Sequence, residues 1–108
     1  MTLLDTSIRS DDKPIENNWT FLTNHGHVLL ALYRNPELRQ RDIAAAVGIT
    51  EGAVQRILHD LTDCGYIDVE RVGRRNRYRV HPGSGLRHPL EAGHSVGEIL
   101  EQLGPVPG

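Results

Sequence analysis

The stretch QRDIAAAVGITEGAVQRILH, residues 40–59, decides the fold of this chain. Its apolar residues form two groups, each spaced as on one face of a helix, which predicts two short helices. The groups are Ile43, Ala44 and Val47, then Val54, Ile57, Leu58 and, just beyond the stretch, Leu61. We expect Gly48 to end the first helix, because glycine readily adopts the left-handed conformation that follows a last turn. We expect Thr50 to cap the second through its hydroxyl oxygen.

Only Gly48, Ile49 and Thr50 separate the two predicted helices. So short a connection predicts helices that cross steeply rather than run antiparallel, which is the geometry of a helix-turn-helix. The spacing of the small Ala44, of Gly48 and of the aliphatic Val54 resembles this motif in bacterial and archaeal regulators. The second helix would then be the recognition helix, which enters the major groove of DNA.

The inward residues of the recognition helix leave a polar face outward. On that face we predict the residues that contact DNA: Thr50, Glu51, Gly52, Gln55, Arg56 and His59. Glutamine and arginine can both make paired hydrogen bonds with base edges in the major groove, which favours this interpretation. The alternative is an ordinary solvated surface, since the exposed face of a helix is usually polar.

The composition is that of an ordinary globular protein. The chain has 108 residues, 38% hydrophobic and 24% charged, enough for one compact domain with a modest core. No apolar run reaches membrane-spanning length and no signal-peptide pattern opens the chain, so we expect no membrane partner. The single cysteine, Cys64, excludes an internal disulfide and fits a cytoplasmic protein. We expect Cys64 to be a small core residue on the inward stripe of the recognition helix.

The net charge of −2 at first argues against a nucleic-acid partner. The distribution of charge answers that objection, because residues 71–87 contain six arginines and no Asp or Glu. The 14 acidic residues all lie outside this stretch, four of them before Asn17 and three after Leu90. The local field, rather than the total charge, decides where a phosphate backbone docks.

The chain before the helix-turn-helix divides into an arm and a helix. Residues 1–18 are predicted to be a flexible arm, because acidic residues dominate and large apolar ones are few. Trp19 and Phe21 mark the start of the fold. Apolar residues at helical spacing predict a helix from about residue 25 to residue 34, which Asn35 ends because it precedes a proline.

Two alternating stretches follow the recognition helix. Residues 66–72 and 77–81 alternate between apolar and polar side chains, which predicts two strands. Gly73-Arg74-Arg75-Asn76 lies between them and is predicted to be the hairpin tip, because glycine and asparagine tolerate positive φ.

This order of elements resembles the winged helix of MarR- and ArsR-type transcription regulators. GYIDVERVGRRNRYRV looks like their wing, and WTFLTNHGHVLLAL and ITEGAVQRIL look like their first and recognition helices. The resemblance covers about residues 19–89. It implies an α+β, mostly helical fold: a winged helix-turn-helix of three helices and a β-hairpin wing, with an extra C-terminal helix. We therefore divide the chain into an arm (1–18), a DNA-binding domain (19–87), a dimerisation helix (88–104) and a tail (105–108).

The wing is predicted to hold the second set of DNA contacts. This set is Arg71, Arg74, Arg75, Asn76, Arg77 and Arg79. Guanidinium groups bind phosphate oxygens in pairs and also fit a narrow minor groove. The alternative is a solubilising edge strand protected by positive charges.

The last predicted helix opens at His88-Pro89 and stops at Gly104. Its apolar residues lie close to heptad spacing, so it either folds back on its own domain or pairs with a second copy. We favour pairing, because terminal helices commonly build the dimer in the regulators that the chain resembles. The predicted interface is Trp19, Phe21, Leu90, Val96, Leu100 and Leu103.

The sequence contains no clear motif for metal binding or catalysis. Scattered histidines could be argued into a metal site, but their spacing is not that of a zinc site and Cys64 lacks a cysteine partner. No phosphate loop, nucleophile elbow or carboxylate pair appears, so we expect no cofactor, no metal and no enzyme activity.

The sequence therefore predicts a cytoplasmic, nucleoid-associated regulator that binds double-stranded DNA as a homodimer on an inverted repeat, with any small effector unknown. A module that binds RNA or another protein is the alternative. We expect no exposed aromatic residues on which RNA bases could stack, which counts against RNA.

Overall fold

The computed structural model describes residues 19–104, and the predictions for residues 1–18 and 105–108 lie outside that range. Three helices come first: α1 (Asn24–Arg34), α2 (Gln40–Val47) and α3 (Glu51–Asp63). Strands β1 (Ile67–Val72) and β2 (Arg75–Val80) follow, then a 3-10 turn (Pro89–Glu91) and helix α4 (Val96–Leu103). This arrangement confirms the predicted winged helix with an extra C-terminal helix. None of the helices in the described range is both long and apolar enough to span a membrane.

The two helices of the helix-turn-helix begin and end as predicted. Gly48 ends α2 with φ of 87°, and its N–H donates to the carbonyl of Ala44 at 2.8 Å. The N–H of Ile49 donates to the same carbonyl at 3.1 Å, which completes the turn. Thr50 caps α3 by accepting from the N–H of Ala53 at 3.1 Å.

The core lies where the three helices meet the inner face of the hairpin. Its most completely buried side chains are Val28 and Leu32 of α1, Ile43 of α2, Val54 of α3 and Ile67 of β1. Each such burial contributes on the order of 1.5–3 kcal/mol, so these contacts fix how α3 is presented.

The turn of the hairpin is shorter than predicted. Its antiparallel register runs from Ile67 opposite Val80 to Val72 opposite Arg75, which leaves only Gly73 and Arg74 in the turn. The predicted four-residue tip is therefore wrong for Arg75 and Asn76, which belong to β2. Within the turn only Gly73 has a positive φ, 64°. The turn therefore does not need Asn76 as a second residue that tolerates positive φ.

The single helix predicted for residues 88–104 is also wrong. Gly93 has φ of 87°, which interrupts helical geometry after the 3-10 turn. A new helix begins at Val96, because the side chain of Glu98 accepts from the backbone N–H of Ser95 at 3.0 Å, as in a capping box.

Helix α4 folds back on its own domain. Val96 and Leu100 are 8% and 3% exposed and belong to the hydrophobic core, so these two predicted interface residues do not form a surface seam. The guanidinium of Arg34 donates to the carbonyls of Leu103, at 2.6 Å, and Gly104, at 3.0 Å, which ties the end of α4 to α1. The spacing of apolar residues on α4 is compatible with packing on a second copy or on its own domain, and in this structure α4 packs against α1.

Cys64 is exposed, so the prediction of a core cysteine is wrong. The inward stripe of α3 ends at Leu61, and Cys64 follows the last helical residue as its C-cap. Arg87 donates to its sulfur at 3.6 Å.

Candidate nucleic-acid interface

The outer face of α3 is open to solvent. Every residue predicted there is exposed: Thr50, Glu51, Gly52, Gln55, Arg56 and His59. Val54, Ile57 and Leu58 on the opposite face are buried, so packing fixes which side of the helix is presented. His59 lies 3.6 Å from Asp63, one turn along the same face. Packing therefore presents Gln55 and Arg56 to solvent on the same side of α3.

Arg77 of the wing already forms a salt bridge within the domain. Its Nε and Nη2 atoms donate to Oε2 of Glu37 at 3.1 and 2.7 Å. Both side chains are about half exposed, so the pair contributes no more than about 1 kcal/mol. The carboxylate nevertheless neutralises a guanidinium that we predicted to contact DNA.

Glu37 lies in the connector between α1 and α2, which also holds β2. The N–H of Tyr78 donates to the carbonyl of Pro36 at 2.9 Å, and Nη2 of Arg75 donates to the carbonyl of Glu37 at 2.9 Å. Sequence reasoning assigned no role to Glu37. The available signal was that Glu37 is the one acidic residue between Arg34 and Gln40.

Acidic residues of β1 stand opposite arginines of β2. The register places Asp68 beside Arg79 and Glu70 beside Arg77. Asp68 also hydrogen-bonds His81 at 2.8 Å. The base of the wing is therefore close to neutral, and positive charge concentrates at the tip, where Arg74 lies.

Two carboxylates elsewhere in the domain have shifted pKa values. A hydrogen bond from His25 at 2.8 Å lowers the pKa of Asp60, against the opposing effect of desolvation. The backbone N–H of Ser95, followed by a hydrogen bond from His94, lowers the pKa of Glu98. Asp60 links α3 to α1 and Glu98 caps α4, and neither is among the residues predicted to contact DNA.

Four of the six predicted interface residues are exposed apolar side chains. Trp19 is 64% exposed, Phe21 92%, Leu90 90% and Leu103 43%. The rings of Trp19 and Phe21 pack edge to face with centroids 5.1 Å apart. The expectation that the chain lacks exposed aromatic residues is therefore wrong, since core packing leaves both rings outside. Exposed apolar side chains of this size are typical of interaction surfaces.

Residues 19–104 include histidines, one cysteine and several carboxylates, the side chains that could bind a metal ion. No group of three such side chains there is arranged to hold an ion. Four of the histidines, His25, His59, His81 and His94, each lie beside a single carboxylate instead, as His94 does with Glu98 at 2.7 Å.

Comparison with known proteins bears on this geometry. The fold is similar to that of MepR, a transcription regulator of the Staphylococcus aureus multidrug efflux pump MepA, with a TM-score of 0.52 and 23% identity. That likeness covers 74% of this chain and 55% of MepR, so the chain spans little more than half of its length. No curated protein matches the chain. The MarR family model matches residues 20–77, more than half of the sequence and all three core helices. The chain belongs to the MarR family.

Proposed function

We propose that this chain is a transcription regulator that binds double-stranded DNA and reads its sequence with α3. The exposed outer face of α3 carries the proposal, because it presents Gln55 and Arg56 from a helix whose opposite side is locked into the core. Membership of the MarR family supports the same function. Binding to chromosomal DNA would place the protein in the cytoplasm, at the nucleoid.

In this proposal α3 enters the major groove with its N-terminal half. Gln55 can make paired hydrogen bonds with adenine, and Arg56 with guanine. The wing lies along the backbone, where Arg74 and its neighbours at the tip meet phosphates or a narrow minor groove. The phosphate contacts position the domain, and the base contacts select the site.

We further propose that two copies act together on an inverted repeat. One recognition helix reads only a few base pairs, too few to find one site among about a million competitors. A two-fold axis doubles the information and sets the half-sites about one helical turn, or a multiple, apart. The exposed Trp19, Phe21, Leu90 and Leu103 support such an interface.

Fluorescence anisotropy with three labelled probes tests the function: mixed-sequence duplex DNA, single-stranded RNA and a selected duplex site. We expect the duplex to bind best and its affinity to fall linearly in a log–log plot against salt. Tighter binding to RNA, with quenching of the only tryptophan, Trp19, would favour stacking on the exposed aromatic rings. Binding to none of the probes would favour a protein-interaction module.

A further inference from the structure

A cleft separates the wing from the start of α2. Its volume is about 360 Å³, and eight residues line it: Leu38, Arg39, Gln40, Arg71, Arg74, Arg75, Asn76 and Tyr78. Four of them are arginines and none is acidic. Sequence reasoning placed three of these arginines on the wing but did not consider Arg39, which comes before the helix-turn-helix by one residue.

No acidic side chain lines the cleft. One carboxylate lies beside it: Asp42 accepts a hydrogen bond from the backbone N–H of Arg39 at 3.3 Å. The carboxylate of Glu37 is bonded to Arg77, which does not line the cleft. Arg75 is held by the backbone carbonyl of Glu37, and Arg71 donates its Nε–H to the carbonyl of Gly73 at 3.2 Å. Within residues 19–104, Arg39 and Arg74 take part in no salt bridge. Four guanidinium groups around one cleft repel each other unless an anion lies between them.

We propose that this cleft binds the phosphodiester backbone of duplex DNA, and that Arg39 is a DNA contact supplied by the connector rather than by the wing. Guanidinium groups match phosphate oxygens in charge and in paired hydrogen-bond geometry. The inference rests on the proposed function and deepens it. It divides the wing arginines into those of the cleft, which meet phosphate, and Arg77, which holds the wing against Glu37.

The contact has a geometric consequence for docking. Arg39 precedes α2, whereas Arg74 sits in the turn of the hairpin. A backbone segment held between them would fix the wing and the helix-turn-helix on one DNA strand at once. Phosphate contacts of this kind set the register in which the recognition helix meets the bases.

The test measures affinity for a mixed-sequence duplex by anisotropy from 50 to 200 mM NaCl. The variants are Arg39→Ala and Arg74→Ala, with Arg87→Ala as the control that removes the same charge outside the cleft. We expect each cleft variant to reduce the slope of log affinity against log salt by about 0.9, so that its deficit shrinks about 3.5-fold over this range. Arg87→Ala should leave the slope unchanged. Arg39→Lys should restore the slope, because lysine keeps the charge.

A second measurement separates DNA phosphate from a small anion. Side-chain Nε signals of arginine are followed by NMR during titration with the duplex and, separately, with inorganic phosphate. Shifts of Arg39 and Arg74 with the duplex support the proposal. Shifts with inorganic phosphate alone would overturn it and make the cleft a site for a small anion.

The outcomes also distinguish this inference from the proposed function. If the unmodified protein binds no duplex, both fail. If it binds and Arg39→Ala behaves like Arg87→Ala, the cleft inference alone fails, whatever the result for Arg74→Ala. Circular dichroism checks that the variants fold, and Arg39→Gln, which removes the charge but keeps a long polar side chain, replaces Arg39→Ala if that variant does not fold.

Discussion

Gln55 and Arg56 lie on the part of α3 that packing leaves outside, and the sequence predicted this from periodicity alone. Which of the wing arginines lie beside acidic residues could not be predicted in the same way. Arg77 is paired with Glu37, forty residues earlier, and stands opposite Glu70 in the strand pair. A run of cations says nothing about which acids the fold will bring beside it.

Base readout is tested by Gln55→Ala and Arg56→Ala. Each substitution should weaken binding to the selected site by about 1–3 kcal/mol, because a paired contact with a base edge is lost. Nonspecific affinity should stay nearly constant, which the ratio of the two dissociation constants reports. Gln102→Ala, on the exposed side of α4, is the control. An unchanged ratio in both α3 variants would show that this helix does not read bases.

The pairing of His25 with Asp60 predicts a specific acid response. The pKa of Asp60 is lowered in the folded state, so its contribution to stability is complete above about 3.8 and is lost as pH falls through the lowered value. In His25→Ala the main cause of the shift is gone, and the pKa should return toward 3.8. Carbon NMR of the carboxylates measures this directly. A pKa of Asp60 that stays low in the variant would contradict the assigned cause.

At the scale of elements, local signals predicted most of the fold. Caps and apolar spacing located α1, α2 and α3, because each of these signals acts within one or two turns. They failed at the C-terminal segment, where the conformation of Gly93 divides one predicted helix into a turn and α4. Apolar spacing on α4 was correct but does not reveal whether a second copy or α1 covers it.

The docking of α4 on its own domain predicts unequal effects along that helix. Leu100→Ala should lower the free energy of unfolding by about 2–5 kcal/mol, because it leaves a cavity at a site only 3% exposed. Leu103→Ala, at 43% exposure, should cost much less. Urea denaturation of the two variants measures the difference. Equal and small losses would mean that α4 does not contribute to the core in solution.

At the scale of the whole molecule, the exposed apolar residues define the dimer experiment. Leu90 is 90% exposed, so Leu90→Asp should leave the domain folded and yet split a dimer by burying an unpaired carboxylate in its interface. Sedimentation velocity at micromolar concentration measures the oligomeric state. Val72→Asp, on the exposed wing, is the matched control. A monomeric unmodified protein, or a dimer unaffected by Leu90→Asp, would remove Leu90 from the interface.

The attachment of β2 to the connector at Pro36 and Glu37 has a mechanical consequence. Because β2 is bonded to the connector through Tyr78 and Arg77, movement of the wing relative to the helix-turn-helix is restrained. The surface formed by α3 and the wing then changes shape little on docking. Where the duplex does not match that surface, the DNA must bend or narrow its groove. Sequences differ in how readily they deform. A regulator built this way would therefore discriminate among sites partly by the stiffness of base steps that it never touches.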